Sequence, residues 1–223
     1  MSVAAIRPSF TRLTVWSLFI AAFVVVSYSE RGTRTDKNIA YQYSTFENGV
    51  AFYALWLGIV LLIAWGRFDL LALRAPRSWM QALRLAAIAA VIIVAADGLA
   101  SLLPLPESPG KEQGLTPTHW EAAHAGAFAA NFVLLAVIAP FVEELTFRGE
   151  GQSLLRVFGR WTSIVVVGVA FGLAHGLIEG LIVLVPFGIA LAWLRDRTDS
   201  VVPGMFVHGL FNGVTLVLAV VLS

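Results

Sequence analysis

The chain has 223 residues, of which 58% are hydrophobic and only 13% charged, with a formal net charge of +1. Soluble domains carry about 45–50% apolar and about 25% charged residues, so this composition excludes an ordinary soluble globular protein. The near-neutral balance gives no reason to expect a nucleic-acid partner, and the lack of cysteine excludes disulfides, thiolate metal sites and a cysteine nucleophile.

Several apolar runs approach or exceed the roughly 18 residues of a membrane-spanning helix. They predict an all-α, polytopic transmembrane helical bundle with about seven spanning helices, in contact with the lipid bilayer. The first span, Thr11–Tyr28, follows Arg7 and Arg12. Ser27-Tyr28-Ser29 is a poor small-residue cleavage site, so the run reads as a retained span rather than a signal peptide. A polar loop over 30–48 mixes Arg31, Arg34 and Lys37 with Glu30, Asp36 and Glu47. The second span is Gly49–Trp65, with Trp56 and Trp65 expected as interface anchors. A short basic loop (Arg67, Arg74, Arg77) leads to the third span, Trp79–Leu103. Its Asp97 lies near the helix end and is expected at a wet interface rather than in the chemistry. Six prolines and glycines then make 104–117 a loop.

Thr118-His119-Trp120-Glu121 reads as a capping box that opens a fourth span reaching Phe147. His119 and His124 flank Glu121 and are expected as interfacial capping residues rather than metal ligands. Pro140 is the expected kink, since its ring disrupts the hydrogen bond one turn back. Arg148–Arg160 reads as a basic connection with an interfacial helix around Leu154, Leu155, Val157 and Phe158. Spans five (Thr162–Gly176) and six (Leu181–Leu194) are joined so tightly that they must be antiparallel neighbours. A polar turn over 195–200 precedes span seven, Val202–Leu222. Arginines gather at the N-terminus and in loops 67–78, 148–160 and 195–197, with loop 30–48 dissenting. The positive-inside rule therefore predicts a multi-pass protein of the cytoplasmic (plasma) membrane, N-terminus inside and C-terminus outside. On that topology Glu143 lies near the cytoplasmic end of its helix.

The informative residues are the polar ones inside these spans. Pro140-Phe-Val-Glu-Glu-Leu-Thr-Phe-Arg148 places two adjacent carboxylates where lipid is expected. A charge at the centre of a span costs about 2.5–3.5 kcal/mol on insertion scales, so such residues face a cavity and a partner. Glu144 and Arg148, four apart, share a helix face and form the expected structural pair. Glu143 is rotated about 100° away, so the two glutamates have different jobs. His175 sits deep in span five, and His208 and Asn212 share one face of span seven. Lipid offers these groups no hydrogen bond, so they must meet each other or water. A carboxylate that activates water, a histidine that shares the proton, and a histidine and an amide that donate to an oxyanion form an amide-hydrolysis set. The sequence has no His-Glu-x-x-His helix and no Gly-x-Ser-x-Gly elbow.

Glu143-Glu144-x-x-x-Arg148, Phe171-x-x-x-His175 and His208-x-x-x-Asn212 together resemble the CPBP family of intramembrane proteases, which includes the CAAX prenyl endopeptidases of the Ras-converting type and bacterial Abi-type proteins. The resemblance covers roughly Ala122 to Val220. It divides one membrane domain into N-terminal spans and external loop (1–121) and a catalytic helical core (122–223). It implies that Glu143, with His175, activates the attacking water, while His208 and Asn212 stabilise the oxyanion. The implied substrate is a membrane-associated or C-terminal peptide entering from the cytoplasmic side. No cofactor is expected. If a metal were needed, Glu143, His175 and His208 would be its ligands, but Asn212 suits an oxyanion hole better than zinc. Two other readings stay open: a catalytically silent scaffold or immunity protein of the same family, and a proton-coupled transporter. The absence of an internal repeat speaks against the transporter.

Overall fold

The computed structural model describes residues 9–30, 39–103, 117 and 119–221. It is an all-α bundle of seven helices, with no strand among the described residues: α1 (Phe10–Ser29), α2 (Tyr43–Ile63), α3 (Trp79–Ala100), α4 (the helical run Ala122–Phe158), α5 (Arg160–Ala174), α6 (Leu181–Thr198) and α7 (Val202–Val221). The chain is an integral membrane protein. Five helices, α1 to α4 and α7, are long and apolar enough to cross a membrane. The expected seven spans are thus seven helices of unequal kind. α5 has 15 residues, and α6 ends in Arg195, Asp196 and Arg197. The apolar stretch of α6, Leu181–Leu194, is on the order of 21 Å long, short of a hydrocarbon core of about 30 Å.

α5 and α6 pack backbone to backbone. A Cβ on Gly188 would stand 2.6 Å from the Gly168 carbonyl oxygen, and one on Gly168 would stand 2.5 Å from Ile189. Small residues at such a crossing are what lets helices approach closely in lipid. The crossing fixes Phe171 and Phe187, which later frame the site.

α4 departs most from expectation. It does not end near Phe147 but runs for 37 residues to Phe158. Leu154 and Leu155, expected at the interface, are buried. The reason is that the basic stretch finds partners on α6. Arg156 and Arg160 both pair with Asp196 of α6, and Gln152 Nε2 donates to the Ala192 carbonyl at 2.9 Å. At the other end the expected capping box is not formed as drawn. Thr118 lies outside the described residues, and Glu121 is extended (φ −114°, ψ 93°), ahead of the helix. The His119 and His124 rings instead stand 3.2 and 2.9 Å from its carboxylate. Arg7, residues 31–38 of the charged loop and nearly all of the proline-rich loop also lie outside the described residues.

Trp56 is a core residue, only 4% exposed, against Phe19, Phe23 and Phe147. Trp65, by contrast, is exposed as an interface anchor would be. α1 docks on α4 through Trp16, whose indole N–H donates to the Thr146 carbonyl at 3.0 Å. The 195–200 turn does cap: Asp199 takes the left-handed conformation (φ 54°), and the Val202 N–H donates to Ser200 Oγ at 3.1 Å.

Candidate active site

Glu143 and Glu144 lie on a short α-helical segment, Ala139–Glu144, between two π-helical turns, Leu134–Ile138 and Leu145–Gly151. Proline explains the first of these. In a π turn a carbonyl accepts from the N–H five residues on, and for Leu135 that residue is Pro140, which has none. Asn212 of α7 supplies the donor instead, with Nδ2 at 2.9 Å from the Leu135 oxygen. α7 comes this close because a Cβ at Gly209 would meet the Ala136 carbonyl at 2.4 Å. Asn212 therefore carries a structural hydrogen bond that spacing alone did not suggest.

Glu144 and Arg148 pair as their four-residue spacing predicts, Nη1 to Oε1 at 2.8 Å, both fully buried. Arg148 is also held by α6 and α5. Nη2 donates to the Gly188 carbonyl at 3.3 Å, and the guanidinium lies 4.1 Å from the centroid of the Phe171 ring. Room for the Glu144 carboxylate comes from Gly204, where a Cβ would stand 2.8 Å from Oε2.

Glu144 has a second partner that the sequence did not reveal. His208 Nδ1 lies 3.1 Å from Glu144 Oε1. A carboxylate only accepts, so Nδ1 carries the proton and Nε2 is the nitrogen presented to the site. Nε2 stands 3.8 Å from Glu143 Oε2. His175 is set up alike: its Nδ1 donates to the Phe171 carbonyl at 2.8 Å, leaving Nε2 unengaged by that bond. Phe171 and Phe187, stacked at 5.6 Å and 16°, present ring contacts to His208, and Phe171 does so to His175. Glu143 is bound from an unexpected direction. The hydroxyl of Tyr53, on α2, donates to its Oε1 at 2.8 Å.

All four expected residues, Glu143, His175, His208 and Asn212, line one cavity of about 230 Å³, with Tyr53 and Asp97. The rest of its wall is largely apolar, including Leu135, Leu184, Phe187, Phe211 and Leu216. Glu144 and Arg148 are not in this wall and stand behind it. From Glu143 the lining runs to Leu177, Gly180, Asp97 and Leu216, at the helix ends opposite Arg148 and the arginine-rich turns. Glu143 is near the middle of α4, not at its end, because α4 continues to Phe158. The family comparison adds an independent line: residues 125–214 match the family model described as Type II CAAX prenyl endopeptidase Rce1-like.

Over residues 125–214 the chain is similar to the CPBP/CAAX protease family.

No curated protein and no solved structure matches the chain. The matched segment takes in Glu143, Glu144, Arg148, His175, His208 and Asn212 and runs from the start of α4 into α7. Tyr53 and Asp97 come from outside it. Tyr53 escaped the sequence reading because one hydroxyl in an aromatic-rich helix (Phe52, Tyr53, Trp56) has no distinguishing pattern. Its only signal was a phenol at mid-span, where an O–H needs an acceptor. As for a metal, no three His, Asp or Glu side chains among the described residues are placed to hold an ion together. Both imidazoles already commit Nδ1 to protein acceptors.

Proposed function

We propose that this intramembrane CAAX-type protease hydrolyses a peptide bond of a membrane-associated or C-terminal peptide, using a water activated by Glu143. The observation that carries the proposal is the asymmetry of the two glutamates: Glu144 is consumed by Arg148 and His208, whereas Glu143 faces the cavity with one oxygen bound by Tyr53. Glu143 takes a proton from water as the hydroxide forms its bond to the scissile carbonyl carbon. His208, when protonated on both nitrogens, donates from Nε2 to the oxyanion, and the second N–H of Asn212 does the same. Collapse breaks the C–N bond, and the proton held by Glu143, shared with His175 Nε2, passes to the leaving amine. The apolar wall suits an extended hydrophobic peptide.

In this reading no metal takes part, and turnover survives tight chelators. Loss of activity on removing a stoichiometric metal would reinstate Glu143, His175 and His208 as ligands. The family resemblance implies a substrate route from the cytoplasmic side, the arginine-rich end of the bundle. We place the substrate's route at the opposite end, beside Asp97 and the 175–180 turn. With the arginine-rich ends inside, that mouth faces the outer half of the membrane, and a reporter fused at Ser223 lies outside. A cytoplasmic reporter signal there reverses the assignment. Cleavage of a peptide library by the purified protein, absent in Glu143→Gln, tests the reaction itself.

A further inference from the structure

We propose that Tyr53 is a positioning residue for the reaction: its hydroxyl fixes the Glu143 carboxylate so that one oxygen is aimed into the cavity as the base. This rests on Glu143 being the base. Three observations carry it. The Tyr53 hydroxyl donates to Oε1 at 2.8 Å, while Oε2 faces His208 Nε2 at 3.8 Å, too far for a direct hydrogen bond. One oxygen is thus tied and the other left open, as a carboxylate that must hold a water requires. Second, the Tyr53 ring is itself fixed. It stacks on Trp56 at 5.6 Å and 11°, and Trp56 packs edge-on against Phe147, one turn beyond Glu143 on α4. The hydroxyl is therefore referenced to the same helix that carries the base. Third, Tyr53 lines the cavity but belongs to α2, outside the matched catalytic segment, so the core alone does not complete the environment of its base.

The other charged or titratable groups around Glu143 leave this role unfilled. α7 offers His208, whose Nδ1 is bound to Glu144. On α4 itself, Arg148 is spent on Glu144 and the Gly188 carbonyl. α5 ends in His175, with Nδ1 on Phe171, and α3 contributes the carboxylate of Asp97 to the wall. α6 lines the cavity with Val183, Leu184 and Phe187 and no titratable group. Among these, Tyr53 has the one hydrogen bond to the Glu143 carboxylate. Losing a donor to an ionised acceptor both frees the carboxylate to rotate and disfavours its charged form.

The test compares Tyr53→Phe with wild type and Glu143→Gln in detergent, measuring kcat, KM, the pH dependence of kcat/KM and thermal unfolding. Tyr53→Phe keeps the ring on Trp56, so its unfolding midpoint stays put. Its kcat falls about 10- to 100-fold, the range of a hydrogen bond to a charged group, with KM unchanged. The acid limb of its kcat/KM profile moves to higher pH. A 3-fluorotyrosine at position 53, nearly isosteric with a stronger donor, moves that limb to lower pH and decides the matter if Tyr53→Phe does not fold. An unmoved limb in both variants, or a raised KM at constant kcat, overturns the proposal while Glu143→Gln stays inactive. An active Glu143→Gln would instead remove the base reading on which it rests.

Discussion

Replacing Arg148 by methionine separates two roles that the fold gives to one buried pair. Arg148 and Glu144 are both fully buried, with one 2.8 Å ion pair between them. Removing one partner of such a pair costs about 3–5 kcal/mol, because the remaining charge is left uncompensated. Here the lower end applies, since His208 Nδ1 still donates to Glu144 at 3.1 Å. A loss of about 3 kcal/mol is roughly a 150-fold shift in the folding equilibrium. Replacing both residues by methionine removes the uncompensated charge, and such swaps are often neutral or stabilising by about 1–4 kcal/mol. Stability then returns, but activity does not. His208 has lost the acceptor that holds Nδ1–H and aims Nε2, so turnover stays about 100-fold or more below wild type, the scale of a lost oxyanion donor. Unfolding in detergent and peptide cleavage read the two effects separately. The reasoning fails if Arg148→Met is as stable as wild type, or if the double variant recovers turnover along with stability.

Gly204→Ala places a Cβ 2.8 Å from Glu144 Oε2. Overpacking of this kind costs about 1–3 kcal/mol, and activity should fall with it because Glu144 holds His208; an active, fully stable variant would contradict this packing. Asn212→Ala strips the Leu135 carbonyl of its donor and removes a proposed oxyanion donor. It should therefore lose about 1–3 kcal/mol of stability yet retain more turnover than His175→Ala or His208→Ala, which thermal unfolding and kcat measure together.

What the sequence made legible depended on local spacing. The Glu144–Arg148 pair and the divergence of Glu143 follow from helix geometry alone, and both stand in the structure. The length of α4 did not, because Arg148, Glu150 and Gln152 look like a polar connection. Arg148 and Gln152 find buried partners on α6, at the Gly188 and Ala192 carbonyls, which no periodicity announces. Trp56 was misplaced for a similar reason: a tryptophan suits an interface and a core equally until its neighbours are known. Tyr53 and the His208–Glu144 bond are contacts between helices far apart in sequence, so only the packed bundle reveals them.

The central claim is that Glu143 alone of the two acids is the base. Its most direct measurement is cleavage of a peptide library by purified wild type and Glu143→Gln, with thermal unfolding to show that both are folded. Loss of a general base commonly costs about 10²–10⁴ in rate, and the account predicts a folded Glu143→Gln within that range of inactivity. A folded Glu143→Gln that cleaves at near wild-type rate would contradict it.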